Sequence, residues 1–105
     1  MSKQLEFYVD DDGMHCARGD DERLATYLQT DLQGSVALTR ELIALLKDPN
    51  FSGDFSGNGH CVDFREQSVL IEAVHDDEAP DRVLSREDML EQVQAWLTFI
   101  SKGQD

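Results

Sequence analysis

The stretch Gly59-His-Cys-Val-Asp-Phe-Arg-Glu-Gln-Ser-Val-Leu-Ile-Glu-Ala-Val74 constrains the fold more than any other part of the chain. Two short apolar runs, Cys61–Phe64 and Val69–Val74, flank the polar Arg65–Ser68. Side chains alternate sides along a strand, so this pattern predicts a β-hairpin with Val62, Phe64, Val69, Ile71 and Ala73 on one buried face. A hairpin with one apolar face is marginal alone and needs further strands and a covering layer.

The rest of the chain supplies candidates for both. Leu5, Phe7 and Val9 alternate with Glu6 and Tyr8, Asp12-Gly13 is a turn signal, and Met14–Arg18 returns as a second strand. Asp20 or Asp21 can cap a first helix, in which Leu24, Tyr27, Leu28 and Leu32 fall at helical spacing until Gly34. Ser35 can cap a second helix, rich in Leu38, Leu42, Leu45 and Leu46, which Asp48-Pro49-Asn50 closes. Phe51–Gly59, with three glycines, predicts a short irregular edge strand around Asp54–Ser56, anchored by Phe51 and Phe55.

After the main hairpin comes the acidic loop His75–Asp81, where Pro80 keeps the backbone extended. Ser85 then caps a last helix, with Asp88 in the capping-box position. Met89, Leu90, Val93, Trp96, Leu97 and Ile100 mark its apolar stripe, and Gly103 is a natural end. The expectation is one α+β domain over residues 1–105. It has a single antiparallel sheet of about four to five strands (two hairpins), covered on one face by three helices in the order β-β-α-α-β-β-α.

Charge narrows the function. The chain carries 22 acidic residues against 9 lysines and arginines, a net charge of −13. That balance argues against direct nucleic-acid binding, which needs cations to neutralise phosphates, and against adsorption to anionic membranes. No run reaches the roughly 18–20 apolar residues of a membrane span, and Met1–Glu6 lacks the apolar core of a secretory signal. The expectation is a cytoplasmic protein whose two cysteines, Cys16 and Cys61, stay reduced.

No motif declares a chemistry. Placing Gly13 at the sixth position of an EF-hand puts Tyr8 first and Gly19 twelfth, neither a calcium ligand of the required kind. His15-Cys16 and His60-Cys61 repeat a dipeptide, but neighbours in a strand point to opposite faces, which disfavours four ligands converging on zinc. The reading there is a buried thiol and surface imidazoles. A thiol nucleophile would need a base and an oxyanion site, and neither is signalled. No cofactor, metal or catalytic residue is expected.

What does cluster is acid: Asp10–Asp12, Asp20–Glu22, Asp76–Glu78 with Asp81, and Glu87-Asp88. A carboxylate rim imitates a polyanion and fits the basic groove in which a nuclease holds phosphates; barnase–barstar is the best-known case of such steering. Asp10, Asp11, Asp12, Asp76, Asp77, Glu78 and Asp81 are the expected partner-binding residues, with Tyr8, Tyr27 or Phe51 as exposed aromatic anchors.

Glu6-Phe7 in the first strand, Leu38–Leu46, Gly59-His60, and Leu84…Glu87-Asp88…Trp96…Phe99 in the terminal helix together resemble the YacL-type small uncharacterised bacterial proteins. That resemblance covers most of the chain, although its loop before the last helix is shorter, and it implies bacterial origin and α+β architecture. Small size, acidity and the lack of a catalytic motif resemble, as a class, the immunity proteins of contact-dependent inhibition systems. The expectation is a non-enzymatic inhibitor that occludes the active site of a basic toxin nuclease. The alternatives are a YacL-like housekeeping interaction protein, or an enzyme with an unrecognised site.

Overall fold

Alternation in the Gly59–Val74 stretch is realised as two strands, His60–Phe64 (β4) and Ser68–Ala73 (β5), with Val62 opposite Ile71 and Phe64 opposite Val69. The structure, a computed structural model, describes residues 5–74 and 81–102. The remaining elements are β1 (Glu6–Val9), β2 (His15–Arg18), α1 (Glu22–Tyr27), α2 (Val36–Lys47), β3 (Gly53–Ser56), β6 (Arg82–Ser85) and α3 (Arg86–Ser101). A π-helical turn, Leu28–Leu32, continues α1 directly. Among the described residues no helix is long and apolar enough to cross a membrane.

The class is α+β, but the sheet is split. β1 and β2 form a two-stranded sheet, and β3-β4-β5-β6 form a separate four-stranded antiparallel meander. The expected single sheet is therefore corrected, and a side chain gives the reason. The Ala17 N–H donates to Gln29 Oε1 at 2.9 Å. A helix has taken a backbone donor of β2, and α1 packs beside that strand. The fourth strand of the larger sheet comes instead from β6, over residues for which no element was expected.

Local chemistry sets the element ends. Asp21, Ser35 and Ser85 cap α1, α2 and α3 by accepting from the N–H groups of Leu24, Leu38 and Asp88 at 3.3, 3.2 and 3.0 Å. Pro49 follows the end of α2, as expected, while Gly103 lies outside the described residues. In the first hairpin, Asp10 Oδ1 accepts from the N–H groups of Asp12 and Met14, and Gly13 adopts φ 83°, which a side chain would strain.

One face of the larger sheet is core. Val62, Phe64, Val69, Ile71 and Leu84 merge with Leu42 and Leu46 of α2 and Met89 and Val93 of α3. Burying a side chain of this size stabilises by about 1.5–3 kcal/mol. The small sheet closes the other end. Phe7 meets Trp96 edge-on at 5.2 Å, His15 lies edge-on to Phe99 at 5.3 Å, and the Trp96 indole donates to the Gln33 carbonyl at 2.9 Å.

Arg86, at the start of α3, is buried and ties two loops together. Its guanidinium donates to the carbonyls of Arg65, Asp48 and Phe51, and it lies over the Phe64 ring. The segment joining α2 to β3, which looks loose in sequence, is thereby fastened to the β4–β5 turn.

Candidate functional site

A carboxylate on the apolar stripe of the first helix organises a buried polar cluster. Asp31 is three residues past Leu28 and seven past Leu24, so it faces the core, where it is 5% exposed. A charge there is tolerated only with bonded partners. Asp31 Oδ2 accepts from the backbone N–H of Gly59 at 3.2 Å and of His60 at 3.0 Å, and Oδ1 accepts from His60 Nδ1 at 2.8 Å. The Thr30 hydroxyl, with one proton, is shared between Asp31 Oδ1 and the Thr26 carbonyl.

The widened turn helps to place this group. Gln33 N–H donates back to the Leu28 carbonyl, five residues earlier, and Gln33 itself takes φ 53°. Across the gap, Gly57 comes so close that a Cβ there would collide with the Asp31 carboxylate. Asp31 thus acts as a strut that fixes the β3–β4 turn onto the helix.

His60 is the second member. It shares the inward face of β4 with Val62 and Phe64 and is 5% exposed. Arg23 NH1 stands 3.1 Å from its Nε2. A guanidinium only donates, so Nε2 accepts and the ring proton sits on Nδ1, aimed at Asp31. The surface imidazole expected at His60 is therefore corrected. An oriented aspartate–histidine pair has the form of a general-base unit, but here the nitrogen that would meet a nucleophile is occupied by Arg23.

Tyr27, edge-on to His60 at 5.8 Å, is wholly buried, which corrects its expected role as an exposed anchor. Burial pushes its hydroxyl far above the ordinary 10.0, with the Asp31 carboxylate and the Cys61 thiol adding to the effect. The sign of the consequence follows. Below pH ~10 both states keep the proton and the contribution is intact. Above it only the unfolded chain ionises, so stability falls by about 1.4 kcal/mol per pH unit. Tyr27→Phe is expected to remove that slope in urea titrations across the alkaline range, and equal slopes in the two proteins would contradict it.

A cleft of about 300 Å³ adjoins the cluster, with Tyr27, Asp31 and Leu32 on one wall, Leu38 at the first turn of α2, and Phe55 and Asn58 from the β3–β4 hairpin. Cys61 is half-buried and lies 3.7 Å from Ser56 Oγ. Desolvation, then the Asp10 carboxylate, push the Cys16 thiol up, which makes it a poor nucleophile. No three metal-binding side chains gather among the described residues.

The expected partner-binding residues are dispersed. Asp11 and Asp12 are exposed at the β1–β2 turn, while Asp10 is engaged in holding that turn. Asp76, Asp77 and Glu78 lie outside the described residues. Asp81 is exposed immediately before β6, beside Arg82, whose Nε bonds Asp21 Oδ2 at 3.0 Å. Tyr8 is 36% exposed with Arg18 over its ring, and Phe51 is half-buried against Phe64.

Sequence reasoning did not single out the outer face of the four-stranded sheet. Asp54, Asp63, Leu70 and Val83 form one cross-strand row, with Ser56, Cys61 and Glu72 in the next. Leu70 is buried at 8% exposure although outside the core cluster, and Val83 is 49% exposed. Two carboxylates directly opposite each other on neighbouring strands repel, and here only Arg65, 3.5 Å from Asp63, offsets the pair among the described residues. Comparison of the chain with protein-family models, with curated proteins and with solved structures returns no significant match in any of the three.

Proposed function

We propose that the chain is a non-enzymatic acidic binding protein, an immunity protein that occludes the basic active site of a cognate bacterial toxin, a nuclease. The observation that carries this reading is the Asp54–Asp63 pair on an open sheet face, beside exposed Val83 and close to Glu72. Opposed like charges weaken the fold by a fraction of a kcal/mol, and a cationic partner relieves them. Carboxylates beside an exposed apolar side chain supply both parts of a protein interface, electrostatic steering and area to desolvate. The net charge of −13 extends the attraction beyond contact distance.

Asp81 precedes Val83 by two residues and adds to this face, while Asp11 and Asp12 contribute to the long-range field. Asp76, Asp77 and Glu78, which lie between β5 and β6 in the sequence, belong to the same proposal. The test is a triple variant, Asp54→Asn, Asp63→Asn and Glu72→Gln, assayed against the nuclease domain encoded directly before the gene. Folding stability is expected to hold or rise slightly. The association rate at low salt is expected to fall by about tenfold or more. Unchanged rate and affinity at every salt concentration would remove this face from the interface.

A further inference from the structure

The cleft beside Asp31 holds polar atoms that the fold itself does not use. The Tyr27 hydroxyl is buried without a hydrogen-bond partner among the described residues. Buried hydroxyls in folded proteins are nearly always paired, so an orphan in a cleft wall points to something that binds there. Asn58 directs its amide N–H₂ toward the Thr30 carbonyl at 3.5 Å, which leaves its Oδ1 as an acceptor. Leu32, Leu38 and Phe55 supply apolar wall.

The charge of the lining selects the ligand. It contains the Asp31 carboxylate and no lysine, arginine or histidine. Asp31 is already bonded to His60 Nδ1 and two backbone N–H groups, so it acts through its field and leaves direct bonding to Tyr27 and Asn58. An anion is disfavoured there. A cation with a slim apolar stem fits, and several acceptors beside an aromatic ring suit a planar multi-donor group better than a point charge.

We infer that this cleft is the socket for an arginine side chain of the basic partner, a proposal that rests on the inhibitor reading above. Its occupant lays its methylenes along Leu32 and Leu38 and turns its guanidinium toward the Tyr27 and Asn58 oxygens.

The test needs no toxin. Titration of the full chain with n-butylguanidinium, followed by amide NMR, is expected to shift Gly57, Asn58 and Gly59 saturably, with Kd on the order of 10 mM. Butyrate and n-butanol are expected to leave these signals in place, and n-butylammonium to bind several-fold more weakly. Tyr27→Phe is expected to weaken binding by about tenfold, the loss of one hydrogen bond to a charged group. Leu38 is 41% exposed, so Leu38→Arg keeps the fold while placing a tethered cation at the mouth, and is expected to abolish probe binding.

Equal shifts with n-butanol, or n-butylammonium binding as tightly as the guanidinium, would overturn the assignment. So would probe binding that survives Leu38→Arg. A chain that inhibits the nuclease but ignores the probe loses only the socket. One that binds the probe but no basic nuclease loses the inhibitor reading.

Discussion

Asp31→Ala is expected to lower the unfolding free energy by about 3–5 kcal/mol, because it orphans several buried donors at once. The variant leaves His60 Nδ1–H and the N–H groups of Gly59 and His60 without an acceptor, in a region only 5% exposed at both side chains. Each orphaned donor costs about 1–3 kcal/mol, and water entering the new space offsets part of the sum. An opposing effect exists, because deleting one of 22 carboxylates eases self-repulsion. Spread over a solvated surface that gain is a few tenths of a kcal/mol, so the orphaned donors decide the sign. Asp31→Asn keeps an acceptor for the backbone pair but turns an N–H₂ toward other donors, and is expected to fall between. Urea unfolding reads the result as a shifted midpoint with unchanged slope. A loss below about 1 kcal/mol would mean that the β3–β4 turn holds without its strut.

Trp96→Ala is expected to cost about 3–5 kcal/mol as well, for a different reason. Trp96 is fully buried and is the largest side chain to be so. Its ring meets Phe7 at 5.2 Å and Phe99 at 5.6 Å, and its N–H satisfies the Gln33 carbonyl at the end of the widened turn. Removal opens a cavity between α3 and the small sheet and orphans that carbonyl. β1 and β2 have no strand neighbours beyond each other, so they depend on this contact more than the larger sheet does. Hydrogen exchange is expected to rise first in β1 and β2, with β4 and β5 protected longest. Uniform loss of protection across both sheets would contradict that order.

Features set by near neighbours in the chain were legible in the sequence. Ser35 and Ser85 as caps, Asp12-Gly13 as a turn and the β4–β5 pairing all depend on residues a few positions apart. The split of the sheet was not, because it rests on Gln29 reaching Ala17 across twelve residues. β6 was missed because Arg82–Ser85 holds two adjacent apolar residues, too few to show alternation, and runs directly into a cap. The Asp31–His60 cluster left a partial trace. An aspartate at helical spacing from Leu24 and Leu28, and a histidine two and four residues before Val62 and Phe64, each sit on a buried face. Their pairing is tertiary and has no local signature. The outer face is similar: alternation alone sends Cys61 and Asp63 away from the core, but only the register puts Asp54 opposite Asp63.

On the proposed function, this acidic surface neutralises a basic nuclease. Calorimetric titration of the purified chain into the cognate nuclease domain, with cleavage followed in the same samples, tests it most directly. One-to-one binding is expected, with cleavage abolished at equivalence and affinity that weakens steeply as salt is raised. A nuclease that keeps cutting at saturation, or shows no binding even at low salt, would contradict it.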